Sequence, residues 1–232
     1  FGETSCIPLI IDKKREMIIG HKKEKKDNHY KLFFYARKKI APVAIIGSGI
    51  SGASIAYALK KRNIECFILE KNNDLAQGAS GNHIALQLPK LTLDNSIQGI
   101  LSLTSFLYSR NLAINLNCSP KTDGVIVFPS QVREILKFKK LIQYNWPTEL
   151  FHEYKGMFNN DDKITVHKFS SSGIVDNKKL IEKLSLGIKF INNFKVKKII
   201  DDTTEKHLIN DTGKSISAKS VIWANGYEMK EE

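Results

Sequence analysis

The chain has 232 residues, of which 42% are hydrophobic and 26% charged, and its formal net charge is +12 at pH 7. That length can bury a substantial core, and the composition is typical of a globular protein rather than of a chain disordered throughout. The three cysteines, Cys6, Cys66 and Cys118, lie far apart and in no CxxC or Cys/His ligand spacing. The sequence therefore supports neither a disulfide framework nor a zinc site, and favours a reducing compartment.

The longest apolar stretch, residues 42–59, is interrupted by three glycines and three serines. This pattern favours a strand, a turn and a helix over a membrane span. The opening residues lack a basic region before a hydrophobic core, so no signal peptide is expected. We therefore predict a cytoplasmic protein that does not contact the membrane.

The positive charge has two interpretations that charge alone leaves open. Clustered lysines attract polyanionic partners such as nucleic acids over long distances. A biased coding composition, rich in Lys, Asn and Ile with only five arginines, gives the same net charge without such a partner.

The first 40 residues differ from the rest of the chain. Two short apolar patches flank the run Lys13-Lys14-Arg15, and residues 21–29 are almost entirely charged or polar. This pattern is typical of a linker or of the tail of a preceding domain. We therefore place a basic linker at 1–40 and one domain at 41–232.

From Val43 the pattern becomes that of a βαβ unit. Residues 43–47 form a continuous apolar run typical of a buried parallel strand, residues 54–63 carry apolar positions at helical spacing, and residues 66–70 form a second such run. Further along, apolar periodicity and turn residues predict helices at 95–118, 132–144 and 177–186, strands at 124–128, 189–191 and 196–201, a hairpin around 210–213 and a last buried strand at 220–224.

The central motif is Gly47-Ser48-Gly49-Ile50-Ser51-Gly52, directly after the first strand. In a dinucleotide-binding turn, Gly47 permits the tight turn, Gly49 leaves room for a pyrophosphate and Gly52 allows close helix–strand packing. Glu70 ends the second strand where an acidic residue accepts hydrogen bonds from an adenosine ribose, which argues against a 2′-phosphate. The motif does not separate NAD from FAD, and a glycine-rich turn of an unrelated α/β fold is the alternative.

Two later segments carry a family resemblance. The segments Gly78-Ala79-Ser80-Gly81-Asn82 and 221–226 resemble the flavin-proximal loop and the second dinucleotide-contacting strand of D-amino-acid-oxidase-like flavoenzymes. GASGN followed by LPKL, together with KKREM at 13–17, more narrowly resembles the bifunctional tRNA 5-methylaminomethyl-2-thiouridine biosynthesis family. The resemblance covers most of residues 13–226. It implies an α/β fold: a Rossmann-like FAD-binding domain (about 41–90 and 174–232) with a partial mixed α+β substrate domain (about 91–173), C-terminally incomplete.

The resemblance implies FAD as the cofactor, tRNA as the partner and a fused methyltransferase domain before the linker. The implied reaction is oxidation of the carboxymethylaminomethyl group on the wobble uridine, which leaves aminomethyl uridine. The basic residues implied to meet tRNA phosphates are Lys22, Lys23, Lys25, Lys26, Arg37, Lys38 and Lys39. The residues implied to bind FAD are Gly47, Ser48, Gly49, Ile50, Ser51, Gly52, Glu70, Lys71, Ala79, Ser80, Asn82, Val196, Ala224, Asn225 and Gly226.

Each of these assignments has a plainer alternative. The lysines also fit a solvated linker, Ser80 and Asn82 a simple turn, and Val196 an edge strand. Residues 170–173 are expected on the substrate side, although a serine-rich loop explains them equally well. His83 and Lys90 lie near the expected flavin, but structural roles are favoured for both, and no catalytic residue is assigned.

The sequence departs from the family pattern at two places, and two other functions are alternatives to tRNA modification. Ala85 stands where the family usually has glycine, so its methyl group is expected to crowd the flavin. The chain stops shortly after Asn225-Gly226, before the segment that completes the FAD site in the family. The rivals are an oxidase of a free amino acid such as glycine or sarcosine, and a non-catalytic remnant that binds nucleotide or tRNA.

Overall fold

The computed structural model describes residues 4–8, 16–20, 41–82, 84–93, 96–121, 124–144, 146–158 and 162–227. The chain divides into two compact units, Phe1–Lys38 and Lys39–Glu232. In the first unit, strands β1 (Thr4–Pro8) and β2 (Glu16–Gly20) pair antiparallel. The linker lysines, Arg37 and His83 lie outside the described residues.

The second unit is built on a parallel sheet. Strand β3 (Val43–Ile46) leads into helix α1 (Ile50–Lys60) and then into β4 (Cys66–Leu69). Two strands from much later in the chain, β10 (Lys189–Ile191) and β14 (Ser220–Trp223), complete the order β10-β4-β3-β14. All three pairings are parallel. All four β3 residues are buried, which explains why the strand is a continuous apolar run.

Helices cover this sheet through small and aliphatic side chains. Helix α4 (Asn177–Ser185) begins at Asp176, whose carboxylate accepts from the N–H of Lys179 at 3.0 Å, and it packs against α1. Ala53 of α1 and Ile181 of α4 lie in one fully buried cluster, while Ala56 joins Ile45 and Ile68 in another. The small residues of α1 allow its close approach to the sheet.

The residues between β10 and β14 form a three-stranded antiparallel sheet. It consists of β11 (Val196–Asp201), β12 (Lys206–Asn210) and β13 (Ser215–Ala218) in that order. The buried Asn210 side chain builds the β12–β13 turn, because its Oδ1 accepts from the N–H groups of Thr212 (3.1 Å) and Lys214 (2.8 Å).

The middle of the chain forms two further antiparallel sheets and two helices. Strand β5 (Ala85–Gln87) pairs with β9 (Gly173–Val175), and β6 (Val125–Val127), β8 (Asp162–Phe169) and β7 (His152–Phe158) form a sheet in the order β6-β8-β7. Helix α2 (Ile97–Asn115) is capped by Ser96, and α3 (Val132–Ile142) by a reciprocal Gln131/Glu134 box.

The α/β fold with a parallel sheet, and each helix and strand predicted from residue 43 onward, are confirmed with small differences at their ends. The β7–β8 hairpin and strands β1, β2, β5 and β9 were not predicted. None of the helices in the described ranges is long and apolar enough to cross a membrane. Within the same ranges, no cluster of three or more His, Cys, Asp or Glu residues is placed to hold a metal ion.

His167 on β8 makes stability depend on pH. It is buried, its ring stacks on Phe138 with centroids 4.3 Å apart, and its Nδ1 has no partner among the described residues. Burial lowers the pKa of His167, and the charge of Glu153 opposes this only in part. The unfolded chain therefore takes up the proton first, so stability is full above the ordinary histidine pKa of about 6.5 and falls below it.

We expect His167→Phe to remove much of the loss of stability between about pH 6.5 and 5, because no buried imidazole then resists protonation. Urea unfolding at a series of pH values measures this slope. The matched variant His207→Phe keeps His167 and should retain the wild-type slope. An unchanged slope in His167→Phe would assign the pH dependence to other groups.

Candidate functional site

A cavity of about 310 Å³ opens where β3, β4 and β14 end, beside the N-terminus of α1. The predicted FAD residues that line it are Gly47, Ser48, Gly49, Ile50, Ser51, Glu70, Lys71, Ala79, Ser80, Val196, Ala224, Asn225 and Gly226. Gly52 and Asn82 are predicted FAD residues that do not line it. The structure therefore brings segments from four distant parts of the sequence to one edge of the parallel sheet, where nucleotides bind in such folds.

Close backbone contacts leave no room for a side chain at the first and last glycines of the motif. Gly47 has φ +105°, and a Cβ there would lie 2.5 Å from the carbonyl oxygen of Ala224. Ala224 in turn donates its N–H to the carbonyl of Ile46 at 2.8 Å, so β14 forms the back wall of the turn. A Cβ at Gly52 would lie 2.0 Å from the Gly47 carbonyl oxygen. Gly52 therefore serves the packing of helix against turn, which explains its absence from the cavity wall.

Several N–H groups of the turn already have protein acceptors. The N–H of Gly47 donates to the Leu69 carbonyl at 2.8 Å, that of Ser48 to a Glu70 carboxylate oxygen at 3.0 Å, and that of Ile50 to the Ser80 hydroxyl at 3.0 Å. The N–H groups of Gly49 and Ser51 have no acceptor in the described part of the chain. They lie at the positive end of the α1 dipole and are the donors that an anionic ligand can use.

Glu70 accepts more hydrogen bonds within the protein than its predicted role requires. Its Oε2 accepts from the N–H (3.0 Å) and hydroxyl (2.6 Å) of Ser48, and its Oε1 accepts from the N–H (3.0 Å) and side-chain amide (2.9 Å) of Asn72. Ser48 Oγ also accepts from the N–H of Ala76 at 3.2 Å. These donors occupy the roughly four lone-pair positions of a carboxylate. Glu70 thus fastens the glycine turn to the 70–76 loop, and the predicted ribose contact stays a prediction.

The loop that the sequence resemblance predicts to lie near the flavin folds as a short 3₁₀ turn, Ala79–Gly81. A Cβ at Gly81 would lie 2.2 Å from the Ala76 carbonyl oxygen, so this glycine permits the loop to fold back on itself. The loop brings Ser80 to the N-terminus of α1, while Asn82 lies past the cavity wall.

Sequence reasoning missed part of the cavity wall, namely Ile46, Leu69, Asn72, Gln77, Gly78, Phe194, Lys195 and Tyr227. Phe194 reaches the site because its N–H donates to the Glu70 carbonyl at 2.8 Å. Closeness in sequence to predicted residues could have revealed Asn72 and Lys195, since Asn72 lies shortly after Glu70 and Lys195 immediately precedes Val196. Lys195 adds a positive charge to a wall that already carries Lys71.

The cavity fits an anionic dinucleotide. The glycine turn leaves space for a backbone contact, the helix N-terminus offers N–H donors, and two lysines line the wall. Asn225 adds a buried amide oxygen that has no hydrogen-bond partner among the described residues. A ribose or ribityl hydroxyl is a suitable donor to such an oxygen.

The other predicted residues lie elsewhere. Ala85 begins β5 and is half-buried, Lys90 is exposed, and neither lines the cavity. Of the 170–173 loop, Ser171 donates its hydroxyl to the Glu149 carbonyl at 2.6 Å, and Gly173 begins β9. The structure does not bring these residues to the cavity wall.

The chain matches the family model described as FAD dependent oxidoreductase (DAO) over residues 42–232. It is 26% identical over 234 residues to the tRNA 5-methylaminomethyl-2-thiouridine biosynthesis bifunctional protein MnmC of Leptospira interrogans, covering 94% of this chain and 36% of that protein. The protein of the same name from Vibrio cholerae is 30% identical over 167 residues, covering 66% and 25%. The chain thus spans about a third or less of the length of these relatives.

Solved structures share the fold. Glycine oxidase from Geobacillus kaustophilus superposes with a TM-score of 0.64 at 21% identity, covering 79% of this chain and 55% of that one. L-proline dehydrogenase from P. horikoshii gives 0.64 at 17% identity, covering 82% and 48%. Because these identities are low, the likeness concerns the fold.

Proposed function

The chain belongs to the FAD-dependent oxidoreductase family, and on this premise we propose that it oxidises the carboxymethylaminomethyl group on the wobble uridine of tRNA. The observation that carries the proposal is the match to a tRNA 5-methylaminomethyl-2-thiouridine biosynthesis protein along 94% of the chain. The fused methyltransferase domain implied by the sequence resemblance belongs to the same proposal.

The cavity residues have distinct roles in this proposal. The free N–H groups of Gly49 and Ser51 hold the FAD diphosphate, with Lys71 and Lys195 supplying positive charge. Val196, Ala224 and Gly226 form the walls, and Asn225 offers its amide to a cofactor hydroxyl. FAD held by these residues would supply the hydride acceptor for oxidation of the carbon beside the secondary amine, and hydrolysis of the oxidised product would leave aminomethyl uridine and glyoxylate.

The second candidate is oxidation of a free amino acid such as glycine or sarcosine. The structural likeness to glycine oxidase favours it, although at 21% identity this likeness concerns the fold. The tRNA substrate is favoured over it because the match to the tRNA-modifying relative runs along nearly the whole chain. A non-catalytic remnant is the third candidate, and it differs from both in lacking turnover.

The test supplies FAD-loaded full chain with tRNA bearing the carboxymethylaminomethyl group, and separately with glycine and sarcosine. We expect release of glyoxylate from the tRNA together with aminomethyl uridine in its nucleoside digest, and no oxidation of the free amines. Turnover of glycine without any change in the tRNA would reject the tRNA proposal in favour of the amino-acid oxidase. Flavin binding without turnover of any substrate would favour the remnant.

Replacing Lys22, Lys23, Lys25 and Lys26 with Gln is expected to weaken the salt dependence of tRNA binding. The logarithm of the binding constant falls linearly with the logarithm of the salt concentration, and each neutralised phosphate adds roughly 0.7 to 0.9 to the steepness of this slope. Loss of four lysines therefore makes the slope shallower by up to about 3. Binding titrations between low and moderate salt measure it, with flavin content as the control that should not change. An identical slope would make this segment a spacer without contact to tRNA.

A further inference from the structure

Helix α3 carries a basic stripe, formed by Arg133, Lys137 and Lys140, on its solvent face. The three residues lie four and three positions apart, a spacing that places them on one side of a helix. The opposite side packs into the core through Phe138 and Leu141. Arg133 and Lys140 are exposed, and Lys137 is half-buried. Three positive charges therefore line about 11 Å of the helix surface.

No carboxylate in the described part of the chain forms an ion pair with the basic stripe. The acidic residue of α3, Glu134, accepts instead from the N–H groups of Ser130 (3.0 Å) and Gln131 (3.4 Å) at the start of the helix. These hydrogen bonds are the main cause that lowers the pKa of Glu134, and the charge of Lys137 contributes less. The positive charge of the stripe is therefore available to an anionic partner.

The stripe leads to an exposed aromatic ring beside a cleft. Tyr144 follows Lys140 by four residues, and 58% of its surface is exposed. Its hydroxyl donates to the carbonyl oxygen of Leu93 at 2.5 Å, which restrains the ring. Together with Trp146 and Ile100, Tyr144 lines a cleft of about 110 Å³. Since a cavity of about 150 Å³ binds benzene, a cleft of this size suits one small ring.

We propose that the basic stripe and Tyr144 form a docking surface for a single-stranded loop of tRNA, with phosphates on the stripe and one base stacked on the Tyr144 ring. The choice of tRNA rests on the proposed function. The surface itself is separate from the cavity beside α1 and from the linker lysines.

Two features of the surface argue for single-stranded RNA. A row of unpaired cations is complementary in charge to a row of phosphates, and such contacts position a nucleic acid. An exposed, restrained aromatic ring is the platform on which proteins stack the splayed bases of RNA loops. A continuous RNA duplex has its bases stacked on one another, so it offers no base to Tyr144.

Replacement of all three stripe residues with Gln tests the phosphate contacts. The full chain is titrated at several salt concentrations with an unmodified RNA hairpin that carries an anticodon loop. We expect the logarithmic salt slope of binding to become shallower by up to about 2.5, because three phosphate contacts are lost. The matched control replaces with Gln three exposed lysines of α4, Lys178, Lys179 and Lys183. It removes the same net charge, and its slope should equal that of the wild type.

Tyr144→Ala tests the stacked base. We expect the affinity for the hairpin to fall by at least about fivefold, the lower end of the range for one base stacked on an aromatic side chain. Tyr144→Phe keeps the ring and loses only the bond to Leu93, so it should retain most of the affinity. A fully paired RNA duplex with the same number of phosphates should bind Tyr144→Ala as it binds the wild type. Melting temperatures show whether each variant folds.

Three results would overturn the inference. Equal salt slopes in the stripe variant and the α4 control would show that net charge acts without a contact at α3. Equal losses of hairpin and duplex affinity in Tyr144→Ala would deny the ring a stacked base. Displacement of the hairpin by polyglutamate as effectively as by unlabelled hairpin of equal charge would assign the surface to an acidic peptide.

These results leave the proposed oxidation of tRNA standing. Conversely, tRNA that binds through the stripe but is not oxidised would reject the proposed function and keep this docking surface. A wild-type chain that binds no RNA would overturn both.

Discussion

Gly47→Ala is expected to abolish flavin binding and to lower the free energy of unfolding by about 2 to 4 kcal/mol. Two causes act together at this position. The backbone has φ +105°, which L side chains rarely adopt, and the new Cβ would lie 2.5 Å from the carbonyl oxygen of Ala224. Neither atom belongs to a flexible side chain, so the turn and β14 must separate. Urea unfolding and the visible absorbance of the purified protein measure the two effects.

Gly213→Ala is the matched control for the backbone part of this effect. Gly213 also has a positive φ, +82°, but a Cβ there would meet nothing within 4 Å. We expect a loss of only about 1 kcal/mol and an unchanged flavin content. Equal losses of stability in the two variants, with flavin retained in both, would show that the contact with Ala224 has no role.

Glu70→Ala is expected to weaken FAD binding by about 1.5 to 3 kcal/mol and to destabilise the fold by a similar amount. Removal of the carboxylate leaves the N–H groups of buried Ser48 and half-buried Asn72 without these acceptors and frees the Ser48 hydroxyl, which orients the Ala76 N–H. The glycine turn then loses its link to the following loop. Fluorescence titration with FAD and urea unfolding measure the two losses.

Glu70→Gln helps to assign the loss. Its single carbonyl oxygen can accept on one side of the residue, while its amide nitrogen cannot accept on the other, so we expect an intermediate effect. Glu182→Ala on the exposed surface of α4 should leave both quantities unchanged. Wild-type affinity and stability in Glu70→Ala would mean that water replaces the carboxylate without cost, and that the turn holds its shape by itself.

Local patterns were sufficient to predict the βαβ unit. Strand β3 is buried on both faces and reads as an uninterrupted apolar run, and the glycine turn that follows it marks the start of α1. The β7–β8 hairpin was missed because lysines, histidines and acidic residues interrupt the alternation of its strands. Its pairing depends on contacts with β6 and on packing beneath α3, which a single sequence does not display.

The sequence predicted the parts of the cavity wall that belong to recognisable motifs. The glycine turn and the 224–226 segment were placed from sequence, and both line the cavity. Phe194 and Asn72 were missed because they arrive through backbone pairing between distant segments, such as the N–H of Asn193 with the Asn72 carbonyl at 3.0 Å. Spacing located Glu70 but gave no sign of its partners. Whether the predicted residues bind FAD stays a prediction that the variants above test.

The pairing of β14 with β3 also governs when the site can come into existence. Val43 pairs with Ser220, so the back wall of the glycine turn is made by residues that leave the ribosome long after the turn itself. At typical elongation rates the delay is roughly ten seconds or more. During that time the nascent chain has the glycine-rich segment without the strand that lies behind it in the fold. On the proposed function, FAD therefore has a complete cavity to enter only after β14 has been synthesised.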